Sequence, residues 1–217
     1  MSQRALTAAG YRRAERILSE RDPVMGRIIA AHGRCGLARA QREDPFIAMV
    51  EAIVWQQLSG KAAATIYGRV LDLVPNRALT PAALLAVPRP TLRAAGLSNA
   101  KVAYVCDLAT QVAAGTVHLD ALDTLDDEAV IEELTKVKGI GRWTAEMFLM
   151  FRLHRPDVFP IDDLGIVNAI VRAYRLRKRP APVRLHKIAE PWRPYRSVAC
   201  WYLWASLETV TPGKKKR

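Results

Sequence analysis

Asp162 and Asp163 stand between Pro160 and a run of apolar positions at Leu164, Val167, Ile170 and Val171. The spacing of those positions predicts a helix that begins at the aspartate pair. A carboxylate at a helix start can cap the first turn. Set against a substrate, it can also stabilise developing positive charge or activate a water. The two roles can coexist on adjacent residues. Eighteen residues before Asp163 ends a second informative stretch, Leu134-Thr135-Lys136-Val137-Lys138-Gly139-Ile140-Gly141-Arg142-Trp143-Thr144-Ala145. One helix is predicted to end near Leu134 and another to start near Trp143. Two glycines around one isoleucine allow positive φ and close approach of another backbone. The free N–H groups at the second helix's start, at its positive dipole end, suit a phosphate oxygen. Lys136, Lys138 and Arg142 add charge, and Ile140 is expected to tuck between the helices. Such a device positions a nucleic acid without reading its sequence.

The elements that carry these residues read as helices. Phe46, Met49, Val50, Ile53 and Val54 follow a helical apolar phase, with Asp44 as N-cap and Pro45 at the first helical position. That helix runs into Trp55-Gln56-Gln57-Leu58-Ser59-Gly60, and the next begins near Lys61. Thr80-Pro81 starts a short helix that Val87-Pro88-Arg89-Pro90 ends. A long helix follows the turn Gly96-Leu97-Ser98-Asn99, over Ala100 to Ala114. Thr124 and Asp127 form a capping-box-like pair before Ala129. A last helix spans about Ser197 to Leu207. No alternating apolar segment predicts a sheet. The basic stretch Arg175 to Pro182 reads as a connection, whose Arg175, Arg177, Lys178 and Arg179 can meet phosphates or simply face solvent.

Composition bounds the partners. The 217 residues carry a net charge of +12; the tail Lys214-Lys215-Lys216-Arg217 supplies four, which leaves +8 on the rest. That balance suits a polyanion. No apolar run approaches the roughly 20 residues needed to span a bilayer, and no signal peptide is readable behind Arg4, Arg12 and Arg13, so a cytoplasmic, nucleoid-associated location is expected. Cys35, Cys106 and Cys200 are too scattered for a disulfide framework, a zinc site or an iron–sulfur cluster. His32, His118, His154 and His186 show no ligand spacing.

Taken in order, these segments resemble the helix-hairpin-helix DNA glycosylase superfamily, and among its branches the DNA-3-methyladenine glycosylase II family. The resemblance covers roughly Pro45 to Leu207. It rests on the Gly139-to-Ala145 hairpin and on Phe159-Pro160 with Asp162-Asp163. It rests also on Trp55-Gln56-Gln57-Leu58-Ser59-Gly60-Lys61, the turn Gly96-Leu97-Ser98 with Lys101, and Trp192-Arg193-Pro194-Tyr195-Arg196-Ser197. The implied fold is all-α: two helical lobes with a helix-hairpin-helix motif and the active-site cleft between them. Residues 1–40 would pack with the C-terminal lobe, 41–155 would form the domain that ends in the hairpin, 156–210 would carry the aspartate and the C-terminal helices, and 211–217 would be a disordered tail. With only about 40 residues before the shared region, the N-terminal β-rich domain of longer bacterial members is expected to be missing.

Carried over by position, the resemblance makes Asp163 the catalytic carboxylate and Asp162 a structural cap. Trp204, Trp143, Met147 and Gln56 fall at the base pocket, although Met147 replaces a tyrosine of the best-known bacterial member. Gln57 matches the wedge that fills the gap left by a flipped base, with Gln56 and Leu58 as rivals. Gln57 also falls on the apolar phase of Phe46, Val50 and Ile53, where a packing role would be odd for it. Gly139, Gly141, Lys138, Arg142 and Thr144 would bind the DNA backbone. The carbonyls of Thr135, Val137 and Ile140 would hold a structural Na+ or K+, as hairpins of this family often do. Bifunctional relatives form a Schiff base through a lysine in the second hairpin helix; that position is Trp143 here. The expected activity is therefore monofunctional hydrolysis of alkylated bases from duplex DNA, by a monomer with no required cofactor and no obligate protein partner. The rivals are a branch acting on deaminated or oxidised bases, and a non-catalytic clamp, which has no need of Asp163.

Overall fold

The computed structural model describes residues 5–39 and 44–208, and among these residues it contains helices and no strands. The predicted disordered tail, 211–217, lies outside the described residues. The chain divides into two compact units, with the division between Phe148 and Leu149.

The first unit holds α3 (Pro45–Trp55), α4 (Gly60–Asp72), α5 (Pro81–Ala86), α6 (Arg89–Ala94), α7 (Asn99–Ala113), α8 (Asp127–Thr135) and most of α9 (Arg142–Phe151); the two helices before α3 belong to the second unit. As expected, Asp44 caps α3, its carboxylate accepting from Phe46 and Ile47 N–H. Met49, Val50, Ile53 and Val54 of α3 are fully enclosed, as are Val105, Leu108 and Ala109 of α7. Helix α3 packs on α4 and α7, and α5 on α7. Each of the Val, Leu, Ile and Met side chains among these contributes roughly 1.5–3 kcal/mol of burial. Helix α6 escaped the sequence reading because Pro88 and Pro90 look like terminators; Pro90 instead sits in its first turn, where its missing N–H costs nothing. The Thr124–Asp127 capping pair is corrected: Asp126 caps α8 through Ala129 N–H, while Thr124 Oγ1 donates to Ala121 O.

The second unit comprises α1 (Ala8–Arg21), α2 (Pro23–His32), residues 149–151, α10 (Leu164–Ala173), α11 (Pro182–Ala189) and α12 (Arg196–Glu208). Helix α12 packs on α10, α2 and α1, and buries Ala199, Tyr202 and Leu203. Three carboxylates organise its interior. Asp22 caps α2 and accepts from Trp192 Nε1 (2.9 Å) and the Tyr174 hydroxyl. Glu15 takes the Cys35 N–H (2.9 Å) and the Tyr202 hydroxyl (3.1 Å). Asp157 takes Arg193 Nη1 (2.9 Å) and Arg196 Nε and Nη2 (both 2.8 Å). Buried carboxylates need donors of this kind to offset lost hydration. All three cysteines are buried, and none of them is in a disulfide. Burial pushes the Cys35 thiol up to about 12, so it is a packing residue rather than a reactive one.

Candidate active site

Asp163 is set by what precedes it. Val158 N donates to Ser197 Oγ at 2.9 Å, and Ser197 N donates to Pro156 O at 3.0 Å. With the Asp157 ion pairs, these bonds fasten the segment leading to Pro160 onto the start of α12. The stretch Trp192 to Ser197 therefore serves as a support for the aspartate. Asp163 itself caps α10, its Oδ1 accepting Ile166 N–H at 2.7 Å. This corrects the expectation that Asp162 is the cap: Asp162 is exposed, and Asp163, the carboxylate that the resemblance assigns to catalysis, caps the helix.

The same Oδ1 accepts Trp204 Nε1–H at 3.0 Å. Trp204 stacks on Phe151, with ring centroids 6.0 Å apart and planes 24° apart. Phe151 remains 40% exposed. The arrangement is a half-buried carboxylate, held by two N–H donors, beside a pair of stacked aromatic faces. Gly165 makes it compact. A Cβ there would lie 3.0 Å from Asp163 Oδ1 and 3.1 Å from Trp204 Cδ1. The sequence reading missed Phe151 and Gly165. Their signals were the four-residue spacing of Phe151 from Met147, and a glycine in the first turn of a helix.

The first unit gathers a different set. Gln56, just past the end of α3, donates from Nε2 to Gly139 O (3.1 Å) and Thr144 Oγ1 (3.4 Å). Lys101 Nζ donates to Val54 O (2.6 Å) and Gln56 O (2.7 Å), at the C-terminal end of α3. Its ammonium thus meets carbonyls that lack helical partners. Burial lowers the Lys101 pKa. Gln57 is the next residue, exposed and left-handed at φ +56°. Helix α3 has ended by then, so the helical phase invoked for Gln57 does not apply. Trp143 is 44% exposed. Together with Gln56, Gln57, Lys101, Tyr104 and Gly139 it lines an open pocket of about 500 Å³. Met147 is half-buried on α9.

Lys101→Met is expected to lower stability by about 1.5–3 kcal/mol, the range for a hydrogen-bonded charged donor. Thermal unfolding checks this. An unchanged midpoint would remove Lys101 as the anchor of the loop.

The hairpin joins α8 to α9, and Ile140 is buried in it as expected. Only Gly139 needs to be glycine for the fold. Its φ is +81°, and a Cβ would come within 2.2 Å of the Tyr104 ring. Gly141 has neither constraint; nothing lies within 4 Å of a Cβ built there. The two purposes expected of the glycines are thus divided between them: Gly139 permits the turn, and Gly141 leaves the approach open. The helical ladder of α9 starts with Ala145 N to Gly141 O at 3.1 Å, so the preceding N–H groups lie ahead of it. Thr144 is buried, with its hydroxyl turned to Gln56. Lys138 is exposed, with Nζ 3.8 Å from Asp107 Oδ1. Arg142 pairs with Glu128 and Glu146, and the bond to Glu128 raises its pKa.

The structure thus brings Asp163 and Trp204 together, and separately Gln56, Gly139 and Thr144. The HhH-GPD superfamily, described as base excision DNA repair proteins, matches residues 50–194. The DNA-3-methyladenine glycosylase 1 of Schizosaccharomyces pombe is 35% identical over 179 residues, which is 82% of this chain and 78% of that protein. A putative DNA-3-methyladenine glycosylase of Bacillus subtilis is 34% identical over 74% of this chain and 58% of its own length. The solved structure of the S. pombe 3-methyladenine DNA glycosylase in complex with abasic DNA matches with a TM-score of 0.80 and 34% identity, covering 93% of this chain and 100% of that one. The ordered segments, the all-helical fold and these similarities have one explanation: the chain belongs to the HhH-GPD superfamily of base excision DNA repair proteins.

Proposed function

We propose that this protein is a monofunctional DNA glycosylase that removes alkylated bases, of the 3-methyladenine and 7-methylguanine type, from duplex DNA and leaves an abasic site. The observation that carries the reading is the Asp163 carboxylate, held by Ile166 N–H and Trp204 Nε1 beside the Trp204–Phe151 stack. A base inside a duplex shields its glycosidic bond, so the nucleotide must be flipped out. Methylation at N3 of adenine or N7 of guanine makes the base cationic. Aromatic faces attract such a cation by about 0.5–2 kcal/mol. A cationic base leaves readily with the electrons of the C1′–N bond, and the sugar passes through an oxocarbenium-like state. The negative charge of Asp163 stabilises that state and takes a proton from the water that adds at C1′. One carboxylate then suffices. The further pocket assignments, Trp143, Met147 and Gln56, rest on matched sequence positions.

Trp143 stands where a bifunctional enzyme needs a lysine. The product is therefore an unbroken strand. Duplexes bearing methylated, deaminated or oxidised bases test the whole reading. Release of methylated bases, with strand breaks only after alkali, is the expected result. Release confined to oxidised bases, or nicking without alkali, would overturn it.

Within this reading Gln57 is the wedge. It is the exposed, left-handed residue beside Gln56, whose amide is already committed to the hairpin. Gln57→Ala is expected to weaken binding to an abasic-site duplex about tenfold more than to undamaged duplex. Equal losses in a binding titration would transfer the role to Leu58.

A Na+ or K+ on the Thr135, Val137 and Ile140 carbonyls fits the hairpin. Val137 O accepts Ile140 N–H at 3.1 Å, and a carbonyl keeps a second lone pair. When bound, the ion adds positive charge where the backbone N–H groups meet a phosphate. The chemical step needs no cofactor. The same reading takes the protein as a cytoplasmic monomer acting on DNA without an obligate protein partner.

A further inference from the structure

The hairpin is poorly charged for a DNA clamp. Residues 126–146 hold six acids, Asp126, Asp127, Glu128, Glu132, Glu133 and Glu146, against Lys136, Lys138 and Arg142, a net charge of −3. Each of the three cations is already partnered. Lys136 Nζ lies 2.5 Å from Glu133 Oε2, Lys138 pairs with Asp107, and Arg142 with Glu128 and Glu146. Such a surface can grip a phosphate through backbone N–H groups, but its side chains supply little free positive charge.

The second unit shows the reverse. Residues 164–189 contain no Asp or Glu. Within them, Arg172, Arg175, Arg177, Lys178, Arg179, Arg184 and Lys187 give the segment a net charge of +7, against +12 for the whole chain. All seven are exposed, and among the described residues none of their side chains makes an ion pair. Arg172 has a local reason to be there, in the last turn of α10 at its negative dipole end. Lys187 has the same reason in the last turn of α11, and the other five have none of that kind. The loop that bears the central three is held at its base, Leu176 N donating to Val171 O at 2.8 Å, and Pro180 is buried. Arg184 and Lys187 lie three apart on the exposed side of α11, whose Leu185 and Ala189 are buried. A solvated helix–loop–helix normally mixes its charges; seven unpartnered cations in sixteen residues repel one another unless a polyanion lies against them.

We infer that segment 172–187 is a second phosphate-contacting surface, for the backbone of the duplex, and that it, more than the hairpin side chains, sets the salt dependence of binding. The inference rests on the reading of the protein as a DNA glycosylase. Lysine and arginine that displace condensed counterions give log K a slope of about −0.9 per contacted phosphate against log salt. The patch also supplies a sequence-independent affinity that lets an enzyme search undamaged DNA.

The test compares the full chain with the triple variant Arg177→Ser, Lys178→Ser, Arg179→Ser, and with Lys138→Ser. Binding to an undamaged duplex is titrated from about 50 to about 200 mM salt. The triple variant is expected to flatten the slope by about 2–3, and Lys138→Ser by less than about 1. Single-turnover release of methylated bases at saturating protein should be unchanged in the triple variant. A triple variant with the parent slope overturns the inference. Loss of binding to a polyglutamate peptide at unchanged slope overturns it too, and assigns the patch to an acidic protein. If the slope flattens but the unaltered protein releases no base, the surface stands and the enzymatic reading falls.

Discussion

Asp163→Asn is expected to slow single-turnover release of methylated bases by about 10²–10³-fold, the usual effect of removing one electrostatic stabiliser of a transition state. The substitution keeps what Asp163 does for the fold. An asparagine Oδ1 can still accept Ile166 N–H and Trp204 Nε1–H, the two bonds that the carboxylate oxygen accepts now. Asparagine is also as good an N-cap as aspartate. The charge is lost, and with it the proton acceptor. Thermal unfolding should therefore be nearly unchanged while base release collapses. Asp163→Ala separates the roles from the other side. It removes charge, cap and indole acceptor together, so a stability loss of about 1 kcal/mol should accompany the loss of rate. An Asn variant that keeps more than about a tenth of the parent rate would mean that the aspartate is a cap and nothing more.

The pairing of roles on Asp163 shows where the sequence was legible and where it was not. A helix start at the Asp162–Asp163 pair was readable from the apolar phase that follows. Which of the two side chains turns back to cap α10 was not, because both have the right chemistry and differ only in backbone position. Trp204 was readable as an aromatic by position. Its bond to Asp163 spans 41 residues, and the glycine that allows it, Gly165, has no local signature. The same holds in the first unit. The hairpin was plain in its glycines and flanking helices, yet Gln56 reaches Gly139 across 83 residues, a contact that no periodicity announces. Lys101 and the Trp192-to-Ser197 stretch belonged to the matched pattern without a stated purpose. The structure supplies one for each: Lys101 closes the end of α3, and Ser197 and Arg196 fasten the chain leading to Asp163. Helix α6 is hidden because Pro88 and Pro90 look like a stop, when Pro90 occupies a first turn; α11 is hidden because the basic run to Pro182 reads as a connection, when Pro182 also occupies a first turn.

Gly139→Ala is expected to be the most damaging single methyl group in the first unit. Two independent costs meet at that atom. The left-handed backbone, φ +81°, costs an alanine about 1–2 kcal/mol. The new Cβ would also lie 2.2 Å from Tyr104 Cδ2, well inside contact distance, and forcing a side chain aside in a packed site costs about 1–3 kcal/mol. Together, about 2–5 kcal/mol is a large part of the 5–15 kcal/mol that holds a typical domain folded. Gly141→Ala is the control, since its Cβ meets nothing within 4 Å and its φ is unstrained; its stability should stay close to the parent's. The two costs can be told apart by a double-mutant cycle with Tyr104→Ala. Removing the ring should relieve the collision but not the backbone strain. The double variant is then expected to be more stable than the sum of the singles predicts, by about 1–3 kcal/mol. Strict additivity in denaturant unfolding would show that Tyr104 gives way freely, and that the hairpin requires glycine for its backbone alone.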